Sequence, residues 1–256
     1  METFQILLTI FLLLFISIPI IVMRFFLKYI IKKSSSEQSL QILESEKKEL
    51  IYKARLRRKK LIDWQPISLE KISNNFDYHF RKSFTRKFNG YIKTLHDERI
   101  ISFRRIDRGV SVNTSRIIAI ASNFEIYYEV SGNEILIHYK GSYFGKIVNQ
   151  SNLIDSNNHT IGSINRNTNG LNFYIVKIQD KEIAYVANNT DRRNFVRNRF
   201  YEFPAVNPYE KDIVNKKEVS YSNLLKLLIE PTEDEYKWIL SIVIFEAIFY
   251  GIDFTL

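Results

Sequence analysis

The C-terminal segment 238–256 reads WILSIVIFEAIFYGIDFTL and constrains the fold more than any other part of the chain. Beyond Ser241, a helix over this segment is apolar on every face, so it must be enclosed either by lipid or by protein. Glu246 and Asp253 leave no uncharged stretch of bilayer length, and a carboxylate near the bilayer midplane costs about 2.5 to 3.5 kcal/mol. The segment therefore predicts a helix buried in a protein core and not a membrane span.

The residues around this segment set the predicted helix boundaries. Thr232 and Glu235 have the spacing of a capping box, in which each side chain accepts a hydrogen bond from the other residue's free backbone N–H. Gly251 is a suitable residue for the end of a helix. We therefore predict a helix over residues 233–250.

The middle of the chain, from Arg99 to Asn189, consists of short alternating runs of β-branched and aromatic residues. Turn sequences such as SGN, NTNG and QDK separate these runs, which is typical of an antiparallel meander. Gly145, Gly162 and Ala184 stand inside three of the runs, where small residues often mark a bend or a close approach of another backbone. The predicted fold class is mainly β (α+β), an antiparallel β barrel around the hydrophobic C-terminal helix.

The combination of NLIDSNNHTIGSINRN, EIAYVANN and an apolar helix ending in GIDF resembles the tubby C-terminal-like superfamily. That superfamily includes the phospholipid scramblases and the LURP-one-related proteins. The resemblance covers roughly residues 92–256 and implies a closed β barrel that encloses a helix near the chain end. The chain departs from the scramblases in lacking the cysteine clusters that carry palmitate and in placing its predicted membrane helix at the N-terminus.

The N-terminal residues Thr3 to Met23 carry no charge and have the length that is needed to cross a hydrocarbon core. A signal peptide is the competing interpretation, but no basic residue precedes the apolar run and no small-residue cleavage site follows it. Arg24 and Lys28 begin a basic flank on the C-terminal side. By the positive-inside rule, we predict a single-pass membrane protein whose C-terminal domain is cytoplasmic.

We divide the chain into an anchor with its basic flank (residues 1–33), a charged helical stalk or linker (34–63) and a tubby-like domain (64–256). Leu43, Leu50, Ala54 and Leu61 form a partial heptad seam in the stalk, but Lys47 and Arg57 interrupt it. Both a solvated stalk and a coiled-coil dimer therefore remain open, and an oligomer could form through the stalk.

The basic residues are concentrated beside the predicted anchor. Of the net charge of +9, residues 24–60 hold twelve Lys/Arg against four Asp/Glu, whereas residues 61–256 hold twenty-five against twenty-three. Because the excess lies next to the membrane, anionic lipid headgroups are a better partner than nucleic acid, at about 1 kcal/mol for each basic residue near the surface.

Two basic clusters are candidates for contact with lipid headgroups or other anions, one before the domain and one between Arg81 and Arg108. The second cluster has a competing interpretation as the solvated face of an edge strand. The predicted contact residues are Lys53, Arg55, Arg57, Arg58, Lys59, Lys60, Arg104, Arg105 and Arg108.

The sequence contains no catalytic signature. It has no cysteine, its four histidines lack metal-ligand spacing, and no phosphate-binding glycine loop or nucleophile elbow occurs. We therefore predict no enzymatic activity, no metal site and no cofactor. Two functions remain: a membrane-anchored lipid-binding or scramblase-like domain, or a membrane-tethered module that binds a protein partner.

Overall fold

A computed structural model describes residues 15, 18–19, 22–25, 36–81, 85–108, 114–166, 173–187 and 223–251. Most of the predicted span from Thr3 to Met23 lies outside these residues. Within them, no helix is both long enough and apolar enough to cross a membrane. The chain divides into two compact units, residues 1–49 and residues 50–256.

Two α-helices and two short 3₁₀ helices have both of their ends within the described residues. Helix α1 spans Ser36–Arg55 and includes the boundary between the two units. The 3₁₀ helices Arg58–Lys60 and Pro66–Leu69 follow it. Helix α2 spans Glu233–Phe245 and continues as a π-helical turn, Glu246–Tyr250. The Thr232–Glu235 capping box that the sequence predicts is confirmed, with the Thr232 N–H 2.7 Å from a Glu235 carboxylate oxygen.

Twelve strands form one antiparallel sheet in which each strand pairs with the next in the chain. The meander predicted from the alternating runs is confirmed, and it begins earlier than the sequence indicates. The strands are β1 Phe76–Arg81, β2 Thr85–Lys93, β3 Arg99–Arg108, β4 Thr114–Ile120, β5 Glu125–Ser131, β6 Glu134–Tyr139, β7 Ser142–Val148, β8 Asn152–Asp155, β9 Thr160–Asn165, β10 Phe173–Ile178, β11 Lys181–Ala187 and β12 Leu225–Leu227.

The sheet is not closed by strand pairing, so the closed barrel that the resemblance implies is wrong in this respect. β12 has only three residues, and the backbone beside its free edge belongs to the segment before β1. Ser73 forms an isolated bridge with Asn223, and the Leu224 N–H donates to the Ile72 carbonyl. The Leu227 N–H donates to the Glu70 carboxylate. These hydrogen bonds satisfy backbone groups at the free edge of β12 without pairing to β1.

Helix α2 is buried on every face, as its all-apolar sequence predicts. Every residue from Trp238 to Ile248 is at most 3% exposed. Its side chains pack against well-separated strands: Phe245 lies 5.5 Å from Tyr128 of β5, and Trp238 lies 4.8 Å from Phe144 of β7, between ring centroids. Helix and sheet therefore share one hydrophobic core.

Small residues in the strands allow the close approaches that the sequence suggests. A Cβ atom added to Gly145 would lie 2.8 Å from the Trp238 ring and 2.4 Å from the Ile154 carbonyl oxygen. A Cβ atom at Gly162 would lie 2.1 Å from the Lys177 carbonyl oxygen. Only glycine fits these positions without a shift of neighbouring backbone.

The end of α1 packs against the outer face of the sheet. Leu50 and Ala54 are buried in a small cluster with Ile118, Ile120 and Tyr127. Two of the four positions of the predicted heptad seam are therefore covered by the chain's own β4 and β5. The helix predicted over the stalk also ends earlier than expected, at Arg55.

Because neighbouring strands are antiparallel, the turns alternate between two ends of the sheet. We call the end where α2 begins the upper end; it holds the turns around residues 94–98, 121–124, 140–141, 156–159 and 179–180. We call the end where α2 finishes the lower end; it holds the turns around residues 132–133 and 149–151.

Candidate functional site

The outer face of β2, β3 and β4 is basic. Along β3, Phe103, Arg105 and Asp107 are buried and face the core, whereas Arg104 and Arg108 are half-buried and face outwards. Asp107 is the only carboxylate of these three strands, and it points inwards. We call Lys87, Arg104, Arg108 and Arg116, which face outwards, the outer basic surface.

The strand register sets the neighbours of these cations. Arg104 lies opposite Asn89 and Ile118, and Arg108 lies opposite Thr85 and Thr114. Lys87 lies opposite Ile106. Arg116 lies opposite Ile106 on one side and Glu129 on the other, so it alone has a carboxylate as a cross-strand neighbour among these described pairs. Adjacent strands are about 4.8 Å apart, so these cations lie on one continuous face of three neighbouring strands.

The structure brings Arg57 to the same surface. Its guanidinium donates a hydrogen bond to the Asn89 side-chain oxygen and lies 5.4 Å from the centre of the Tyr91 ring. Asn89 is the cross-strand partner of Arg104, so a cation from the first predicted cluster and one from the second meet there. Because Arg57 and Arg104 are far apart in the sequence, their proximity could not be predicted from it.

Most of the first predicted cluster lies elsewhere. Arg55 and Arg58 both bind Glu125, at 2.6 and 3.5 Å, at the upper end of β5. The hydrogen bond to Glu125 raises the pKa of Arg55. Lys53, Lys59 and Lys60 are exposed. Lys59 and Lys60 lie in the chain between Arg58, which binds Glu125, and Ile62, whose N–H donates to the Arg99 carbonyl. Lys59 and Lys60 are therefore at the upper end, far from Arg108 at the lower end.

Arg105 does not lie on the surface where the sequence places it. It is 2% exposed, and its Nε donates to an Asp107 oxygen at 2.7 Å. Its Nη1 donates to the carbonyls of Ile248 and Phe249, at 2.9 and 2.7 Å. The strand alternation turns Arg105 to the inner face, where it satisfies the last carbonyls of the enclosed helix and complements the negative end of its dipole.

A second buried ion pair joins the sheet to the helix. Glu246 is 2% exposed and accepts hydrogen bonds from Arg166. The Arg166 guanidinium also lies 4.2 Å from the centre of the Tyr174 ring. Burial, together with the Glu246 carboxylate, raises the pKa of Tyr174 to about 12.

These buried polar groups have structural roles. Asp107 accepts from Arg105 and from the Ser115 hydroxyl, and Arg166 also donates to the Gln150 carbonyl. The Tyr128 hydroxyl donates to the Ser241 carbonyl at 2.9 Å, and burial raises its pKa well above the usual value. Sequence reasoning missed Arg166 as the partner of Glu246, because nothing in the local pattern separates it from the other arginines.

In the part of the chain that the structure describes, no group of side chains could hold a metal ion. No protein-family model matches this chain, and no curated protein or solved structure matches it either. The likeness to the tubby C-terminal-like superfamily therefore stays a prediction from sequence pattern. The outer basic surface is the candidate functional site that the geometry defines best.

Proposed function

We propose that this protein is a membrane-anchored domain that binds anionic lipid headgroups through the outer basic surface, without catalysing a reaction. The observation that carries the proposal is the charge of β2 to β4: their outward side chains include several cations and no carboxylate. Like charges on adjacent strands repel one another, and an anion held between them relieves that repulsion.

Phosphate headgroups suit the chemistry of this surface. Three of its four cations are arginines, whose planar guanidinium binds phosphate through two parallel hydrogen bonds. Each basic residue near an anionic leaflet contributes about 1 kcal/mol, and screening limits the attraction to about 10 Å at ordinary salt. Binding by a few arginines is therefore weak alone and becomes effective when an anchor keeps the domain at the membrane.

The core holds this surface rigidly. Arg105, between two outward residues of β3, is bonded to the end of α2, so the strand that carries Arg104 and Arg108 is fixed from inside. A rigid array loses little entropy when it binds. We place the domain on the cytoplasmic side, where anionic lipids are abundant, in agreement with the basic flank that follows the predicted anchor.

The experiment measures which end of the domain approaches the bilayer. The chain contains no cysteine, so a single one can be introduced and labelled without background. Ser131→Cys reports on the lower end, beside Thr114, and Ser142→Cys reports on the upper end; both side chains are exposed. The full chain is reconstituted into liposomes that carry an acceptor dye on the lipid, and energy transfer is measured with and without phosphatidylserine.

We expect transfer from position 131 to exceed transfer from position 142, and to rise when phosphatidylserine is added. The triple variant R104Q/R108Q/R116Q should remove the rise, since it removes up to about 3 kcal/mol of attraction. The control K59Q/K60Q, at the upper end, should retain it. Energy transfer that does not change with lipid charge, or that is larger from position 142 than from position 131, would contradict the proposal.

A further inference from the structure

A cavity of 570 Å³ opens at the upper end of the sheet, where α2 begins. Its floor is apolar and aromatic: Phe144, Ile161, Ile178 and Trp238 line it. The Phe144 and Trp238 rings lie 4.8 Å apart and tilt at 40° to each other. Gly145 lets the indole pack against β7, so this floor is built by the main contact between sheet and helix.

Acidic groups outnumber basic groups around this floor. The charged lining residues are Asp155, Asp234, Glu235, Lys181 and Lys237. Lys237 is neutralised by Glu233 and Asp234, at 2.9 and 3.0 Å. Asp180 lies between the lining residues Gln179 and Lys181, and Glu230 lies two residues before Thr232; both are exposed and add to the negative potential.

The two aspartates each keep an oxygen for a ligand. Asp155 Oδ1 accepts from the backbone N–H groups of Asn157 and His159, and Asp234 Oδ1 accepts from Lys237. Within the described residues, no hydrogen bond ends on the Oδ2 atom of either aspartate, although the exposed His159 ring places its Nδ1 3.7 Å from Asp155 Oδ2. An ionised carboxylate accepts about four hydrogen bonds, so both have spare capacity.

We propose that this cavity binds a lysine or arginine side chain from a basic segment of a partner protein. The aliphatic stem lies on the Phe144 and Trp238 rings, and the cationic head is bound by Asp155 and Asp234. Tryptophan is the best aromatic partner for a cation, and long basic side chains bury their stems while the charge stays hydrated. The site is distinct from the outer basic surface and has the opposite charge.

The surroundings favour a protein over a free amine. The exposed large hydrophobic side chains of the described residues after Arg57 are Ile62, Ile67, Leu95, Tyr143 and Ile229, and all of them are at the upper end. Tyr143 lines the cavity itself, and exposed apolar side chains at the end that carries a charged recess are typical of a surface that another protein covers. A protein segment would bring both the cation and apolar neighbours to match.

The test uses the full chain in nanodiscs of zwitterionic lipid, so that lipid charge plays no part. The probe is a fluorescein-labelled peptide of alternating alanine and lysine, with glutamate in place of lysine as the comparison and empty nanodiscs as the blank. Fluorescence anisotropy should show binding of the lysine peptide alone. The variant D155N/D234N should weaken it by about tenfold, because asparagine keeps the shape but not the charge.

A matched control removes the same charge outside the cavity lining. In D180N/E134Q, one carboxylate lies near the cavity and the other pairs with Lys146 at the lower end, and binding should change less than twofold. Gln179→Lys places a cation at the exposed rim without touching the core and should weaken binding as D155N/D234N does. Thermal unfolding checks that each variant is folded.

Equal losses in D155N/D234N and D180N/E134Q would reduce the effect to general electrostatics and overturn the proposal. Binding of the glutamate peptide, or of neither peptide, would also overturn it. The variant R104Q/R108Q/R116Q should bind the lysine peptide as the native chain does. Failure of lipid binding and failure of this site are therefore separate results.

Discussion

The lower and upper ends of the sheet use charge in opposite ways. At the lower end, Asp107 and Glu246 are 1% and 2% exposed and are paired with Arg105 and Arg166, and Arg105 is also bonded to the last turns of α2. At the upper end, Asp97 and Asp234, which are paired with Lys93 and Lys237, are 73% and 82% exposed. The pairs at the lower end hold the enclosed helix in place. The pairs at the upper end leave the surface of that end open to partners.

Residue type alone does not assign a role to a charged side chain in this sheet. Arg104 and Arg105 are neighbours in the chain and carry the same charge. One faces outwards beside Asn89, and the other is bonded to helix carbonyls inside the core. A strand turns successive side chains to opposite faces, so a shift of one residue separates a contact surface from a structural bond.

Arg105→Leu should have the largest effect. It leaves Asp107 buried without its cation and leaves the Ile248 and Phe249 carbonyls without their donor. Removing one partner of a buried pair costs about 3 to 5 kcal/mol. Thermal unfolding of the full chain in mild detergent should show a large fall in Tm, whereas Arg104→Leu should change the free energy of unfolding by less than about 1 kcal/mol. Similar losses of stability in Arg105→Leu and Arg104→Leu would contradict the assignment of these two side chains to different faces of the sheet.

Glu246→Gln should have an intermediate effect. The amide keeps one acceptor for Arg166, which is itself only partly exposed, but loses the charge that pairs with it. We expect a loss of about 1 to 3 kcal/mol, measured by denaturant titration. Glu125→Gln is the control at the upper end, where the partner Arg55 is largely exposed, and it should cost less than about 1 kcal/mol. An equal cost would show that burial does not separate the two ends.

Asp97→Asn should have the smallest effect, and that effect should depend on pH. The hydrogen bond from Lys93 lowers the pKa of Asp97, and asparagine tolerates the positive φ of 67° at this position. A carboxyl whose pKa is lowered by folding stabilises the protein above its unfolded pKa of about 3.9, and this contribution is lost as the pH falls. The Tm of the variant should be slightly lower at pH 7, and its difference from the native chain should shrink as the pH falls below about 3.9. A difference that does not shrink below this pH would point to another cause.

The sequence predicts α2 well because local signals agree. The capping box fixes its start, and the absence of a polar face requires that it be enclosed. The meander follows from alternation in the same way. The orientation of β3 is harder, because Ile101 and Phe103 indicate that Arg105 faces the core, whereas Ile106 indicates the reverse. The structure explains the conflict, since Ile106 packs against the cluster that contains Leu50 and Ala54 on the outside.

Other features depend on contacts that no local pattern contains. The seam residues Leu50 and Ala54 indicate only that one side of α1 is covered, and a second helix or a sheet would satisfy them equally. The open edge of the sheet depends on the length of β12 and on the hydrogen bonds that Glu70 and Ile72 accept from Leu227 and Leu224. The cavity at the upper end combines residues from five separate segments, and its acidic character appears only once they are assembled.

Helix α2 follows all twelve strands in the chain, and this order has a consequence for biosynthesis. A ribosome delivers the strands first, so their inner faces have nothing to enclose until the last helix is made. The apolar face of the nascent sheet therefore stays exposed until the helix is made. During that time the chain can aggregate or bind chaperones. An early attachment to the membrane through the N-terminal segment would keep such chains apart while synthesis continues. A stop codon between residues 228 and 232 would release a chain that has every strand but lacks the helix around which they pack.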